Sequence, residues 1–129
     1  MKKGIISLMF IVISLYADCQ DYLNIHALIA GHQSSDTIRM DDIFRFSEIL
    51  LDNKEYSIVS FTMHFSDSGY DYDNSSYSNR ITDDMKKDLL SIKEPDTKFK
   101  IIVFKDIFIQ KAKGRILKIG DSVYKLRLE

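Results

Sequence analysis

Tryptophan is absent from this chain, proline and cysteine occur once each, and nowhere do five basic residues run together. A lone cysteine, Cys19, cannot form an internal disulfide. The fold must therefore rest on its core, which a chain of about 110 residues can supply, since it buries roughly two-thirds of its surface without covalent staples. Eighteen Lys and Arg against nineteen Asp and Glu leave a net charge of −1. With no basic run, that balance argues against nucleic acid and other polyanions as partners. No glycine-rich phosphate loop is present, and no serine sits in a glycine-flanked nucleophile elbow, Ser60 lying in Val-Ser-Phe.

Metal and catalytic patterns are equally scarce. His26 and His32 stand six apart and His64 falls on the solvent face of a strand, which matches no zinc spacing. Asp71 and Asp73 resemble the start of a calcium loop, but Ser76 and Thr82 occupy the positions that need Gly and a bidentate Glu. His64, Ser66 and Asp67 are strand neighbours whose side chains diverge, so they form no triad. Asp83-Asp84 is explained by helix capping. No catalytic residue, cofactor or metal is expected, and the chain reads as a non-enzyme.

What is present begins with an export signal. Lys2 and Lys3 precede Gly4–Tyr16, an uncharged, mostly apolar run of 13 residues. As a helix it spans roughly 20 Å, short of the roughly 30 Å hydrocarbon core of a bilayer, so residues 1–19 read as a signal peptide rather than an anchor. Cleavage after Cys19 puts Ala17 at −3 and Cys19 at −1 and exposes Gln20; cleavage after Ala17 is the alternative. A lipid anchor on Cys19 would want a small residue before it, and Asp18 is not small. The expected product is one domain, 20–129, periplasmic or secreted, without a transmembrane anchor. Loss of two lysines and one aspartate takes its net charge to −2.

Tyr56–Phe65 is the clearest strand, with Val59, Phe61, Met63 and Phe65 on one face and Ser60, Thr62 and His64 on the other. Before it, Tyr22–Ala30 alternates at Leu23, Ile25, Ala27 and Ile29, and Gly31–Asp36 is a turn by composition. Asp36 is a possible N-cap for a short helical turn near Met40–Phe44, followed by an irregular or extended piece at Ile49–Leu51. Ser66–Asn79 lacks aliphatic residues and reads as a long loop or a loosely paired hairpin arm. Thr82 caps a helix over about 83–92, with Met85, Leu89 and Ile92 as its apolar stripe and Pro95 as its stop.

Phe99–Gln110 is the second long strand. Phe99, Ile101 and Val103 lie on one face and Ile102 and Phe104 on the other, as in a central strand covered on both sides. Lys111–Gly114 turns the chain, Arg115–Ile119 returns, and Ser122–Leu128 closes the domain. The expected fold is mainly β, an Ig-like β-sandwich with one α-helix. Its predicted core is Ile25, Val59, Phe61, Met63, Phe65, Met85, Leu89, Ile101, Val103, Ile107, Val123 and Leu126.

Four stretches in order, Ala27–Ile43, Tyr56–Phe65, Ser78–Ile101 and Phe104–Leu126, resemble the last periplasmic domain of GldM, a component of the type IX secretion and gliding machinery of Bacteroidetes. Gly114 falls on the last glycine of that family's Gly-Pro-Asp-Gly turn, while Lys111, Ala112 and Lys113 depart from it. The resemblance implies a non-enzymatic module that meets envelope or secretion components.

Tyr70, Tyr72 and Tyr77, with Asp71 and Asp73, form the expected interaction loop, since tyrosine among small polar residues makes adaptable recognition surfaces. The competing reading folds these rings back over the sheet. Function is thus expected to be protein binding through strand edges and this loop, with a sugar- or peptide-binding aromatic platform as the alternative. Asp36-Thr37-Ile38 and Asp121-Ser122-Val123 also resemble the short O-glycosylation acceptor motif described in Bacteroidetes, which would place both hydroxyls on surface loops.

Overall fold

The computed structural model describes residues 24–92 and 98–128. The expected signal peptide with Cys19, the first two residues of the expected Tyr22–Ala30 strand, and Pro95 lie outside the described residues. Within them the fold is mainly β. Strands β1 (Ala27–Ile29), β2 (Thr37–Arg39), β3 (Ile49–Leu51), β4 (Tyr56–Asp67), β5 (Tyr70–Ser76), β6 (Phe99–Lys111), β7 (Ile116–Ile119) and β8 (Ser122–Arg127) are accompanied by two helices, α1 (Met40–Arg45) and α2 (Asp83–Leu90).

One six-stranded sheet runs β2-β8-β6-β4-β5, with β7 also paired to β6. The layer opposite its buried face is a two-stranded β1-β3 sheet together with the two helices, rather than a second large sheet. The buried face carries Phe61, Met63, Phe65, Ile102, Phe104, Tyr124 and Leu126, and the opposite layer contributes Ala27, Ile29, Ile43, Ile49, Met85 and Leu89. Phe104 packs on Phe61 and edge-on to Tyr124, at 6.0 Å between ring centroids in each case. The Tyr124 hydroxyl donates to the His32 carbonyl at 2.9 Å, so its burial leaves no polar group unpaired.

Local chemistry explains the elements. Ala30 and Gly31 both have positive φ, and Ile29 and His32 exchange backbone hydrogen bonds around them, a two-residue turn of the kind that suits strand twist. The Thr82 side chain accepts from the Met85 amide at 3.2 Å, as expected for the cap of α2. The N-cap of α1 is Arg39, not Asp36, and no side chain caps it. Thr37–Arg39 is instead taken up as a parallel strand against β8, which postpones the helix by three residues. Asp41 and Asp42 then stand in its first turn.

Four residues of the predicted core need correction: Val59, Ile101 and Val103 through one cause, and Val123 because on unbulged β8 it pairs with Val103 and shares its outward face. Tyr56–Lys111, Ser57–Gln110 and Ile58–Ile109 share a register, Ser60 then opposes Phe108, and the first register returns from Thr62–Lys105 onward. Val59 is thus an extra residue on β4, and Asp106 and Ile107 together oppose Phe61 on β6, a pair of bulges that cancel. Asp106 adopts φ 49°, a left-handed conformation that Asp tolerates better than most, and Lys118 reaches its carboxylate at 3.0 Å. Both strands therefore exchange their inward parity at the same level. Ile58 and Phe61 point inward on β4, and Ile102, Phe104, Ile107 and Ile109 on β6. Val59, Ile101, Val103 and Val123 leave the core, and the Phe99–Val103 end of β6 is covered on one face only.

Candidate functional site

Tyr70–Ser76 is a regularly paired hairpin arm rather than a loop, its register running from Asp67↔Tyr70 to Phe61↔Ser76. Ser68 and Gly69, both at positive φ, make its two-residue turn. The five residues expected to act together are separated by the pleat. Tyr72 faces inward and stacks on Phe65 at 4.8 Å, half-buried. Tyr70 is exposed and lies beside Tyr72, 6.5 Å between ring centroids, whereas exposed Tyr77 is about 23 Å from Tyr70 along the chain at roughly 3.3 Å per residue. Phe65, Tyr72 and Tyr70 form one ring series, from which Tyr77 stands apart.

Asp71 and Asp73 point to the outer face. The Ser66 hydroxyl donates to Asp71. Asp73 receives Lys105 Nζ at 3.1 Å and faces His64 Nδ1 at 3.0 Å, and the Lys105 hydrogen bond, with the His64 contact, holds its carboxyl below the usual range. His64, Ser66 and Asp73 share this face, yet the serine hydroxyl is engaged by Asp71 and not by the imidazole. Asp67 turns inward to Lys100. No nucleophile–base pair forms among these groups.

The other histidines also meet aspartates, His26 with Asp52 at 2.9 Å and His32 with Asp36 at 3.4 Å. Burial raises the Asp52 carboxyl, but the amide and imidazole of His26 outweigh it and the net shift is downward. Among the described residues no three such groups converge on a metal position. Of the two glycosylation-like hydroxyls, Thr37 is exposed, whereas Ser122 is buried on the inner face of β8 and not on a surface loop.

A concavity lies elsewhere, between the end of α1, the edge of β3 and the Ala30-Gly31 turn. It is an open cleft of about 640 Å³. Phe46 and Leu50 form its apolar part, 50% and 56% exposed. Arg45 lies over the Phe46 ring at 5.6 Å, and Arg80 stands 4.0 Å from Glu48 across an isolated bridge that ties the two segments. Lys86 reaches Ser47 at 2.8 Å from α2, adding a third cation nearby. Gly31 leaves open space where a side chain would project. Sequence reasoning missed this site. One signal was available: in a three-residue strand whose outer members Ile49 and Leu51 are buried, Leu50 must face the other way.

No protein-family model matches this chain, and no curated protein matches it either.

Proposed function

We propose that the mature chain is a non-catalytic, exported protein-interaction module, of the kind that the terminal periplasmic domain of GldM represents, and that it seats a segment of an envelope or secretion partner in the Phe46–Leu50 cleft. The observation that carries this reading is the pair of half-exposed apolar side chains held in a concave site beside Arg45 and Arg80. Aromatic residues and arginine are the anchors that protein interfaces favour. A single exposed apolar residue is ordinary, whereas two in a concavity rimmed by charge mark a binding surface. Three cations against Glu48 favour a segment that carries a carboxylate.

Of the cleft's lining, Ala30, Gly31 and Arg80 fall within the four GldM-like stretches, and Arg45 to Leu50 lie between the first and the second.

The test is capture from envelope extract of the producing cells with tagged mature protein, comparing wild type with Phe46→Ser/Leu50→Ser and with Arg45→Glu. A partner held by wild type and released by both variants, at unchanged circular dichroism, is the expected result. Equal capture by wild type and variants, or none by folded wild type, overturns the reading. Export is checked by N-terminal sequencing of the periplasmic and secreted fractions, with Gln20 expected first.

A further inference from the structure

The outer face of the large sheet is ordered by charge in a way the cleft does not require. One row across it reads Asp71 on β5, Ser66 on β4, Ile101 on β6, Lys125 on β8 and Thr37 on β2. The next row reads Asp73, His64, Val103 and Val123. Beyond Ile101, Phe99 pairs with Arg127, and Arg127 with Arg39. Acid therefore lies at the β5 flank and base at the β8–β2 flank. Between them runs an apolar strip in which Phe99 and Ile101 are about half exposed. Lys105 offsets Asp73 on the acidic side, which leaves Asp71 as that flank's unmatched carboxylate.

We infer that this face pairs with the same face of a second copy of the chain, about a two-fold axis parallel to β6. Laid along β6, that axis puts the β5 flank of each copy over the β8–β2 flank of the other, so Asp71 falls over Thr37 with Lys125 one strand away, twice over, and it stacks the strip from Phe99 to Val103 on its own image. An axis across the strands would set Asp71 against Asp71 and Lys125 against Lys125. The charge order selects the first. Such pairing is isologous and closes at two copies, with the sheets about 10 Å apart as in an aligned sandwich. Five strands at about 4.8 Å and four side-chain rows give a footprint of roughly 500 Å² per copy. That is below the roughly 800 Å² of a standard interface, so the dimer is weak and forms in the micromolar-to-millimolar range.

Sedimentation equilibrium of the mature protein across that range tests it. Wild type is expected to dimerise, Ile101→Glu to weaken the dimer about tenfold or more, and Asp71→Lys and Lys125→Glu each to weaken it. An equimolar mixture of the last two should recover association as a heterodimer, because every flank then meets its opposite. Thermal melts check that each variant is folded, and the two flank variants are independent of each other. Monomeric wild type at every concentration, an unchanged dimer in Ile101→Glu, or no recovery in the mixture overturns the inference. None of these outcomes bears on capture by the cleft, whose residues lie outside this face.

Discussion

Lys100 Nζ lies 2.9 Å from Asp67 Oδ1, and the two side chains are only 9% and 3% exposed. They stand on the inner face of the sheet, where β4 ends and β6 begins, and Lys100 shares the inward parity of Ile102 and Phe104. A buried ion pair adds little net stability relative to apolar residues of the same volume, but removing one member strands the other charge in a poor solvent.

Lys100→Met alone is therefore expected to cost about 3–5 kcal/mol. Lys100→Met combined with Asp67→Leu should cost much less than the sum of the single changes. Urea denaturation of the full cycle measures both. Strict additivity would show that the pair is not coupled.

The double bulge predicts opposite outcomes for adjacent residues. Ile102→Ala removes a fully buried side chain and should cost about 2–5 kcal/mol, whereas Ile101→Ala, on the outer face, should stay within about 1 kcal/mol. Equal losses at both positions would put β6 between two covered faces after all.

Tyr124 predicts an alkaline limit. Burial pushes its hydroxyl from 10.0 up to about 12. The folded pKa exceeds the unfolded one, so this contribution is complete below pH 10 and is lost as pH rises through 12. The loss is roughly 2–3 kcal/mol over that window. Stability against pH, followed by urea midpoints, should fall there in wild type and fall less in Tyr124→Phe. The same slope in both proteins would assign the alkaline loss to other groups.

Elements whose signal is local could be read from the residues in order. Alternation gave β4, β6 and, over Ala27–Ile29, part of the expected Tyr22–Ala30 strand, Thr82 with two aspartates gave the start of α2, and the apolar residues of Ser122–Leu128 gave β8. Each depends only on interactions within a few residues, which propensity and periodicity record. The polar 66–79 stretch could be read either as loop or as hairpin arm, because nothing within it states whether β4 offers a free edge.

Tertiary structure decided the rest. Which side of β6 is the core depends on two bulges that cancel across the strand pair, and a shift of one residue exchanges every side chain between faces. Thr37–Arg39 is a strand only because β8 presents an unpaired edge to it, so no pattern in three residues could announce it. The cleft gathers Gly31, Phe46, Leu50 and Arg80 from four separate segments. The sequence by itself determined the mainly β class and part of the core, Phe61, Met63, Phe65, Met85, Leu89 and Leu126 among it. The assignment of the rest to a face, and with it the surface left for a partner, was decided by long-range pairing that only the folded chain contains.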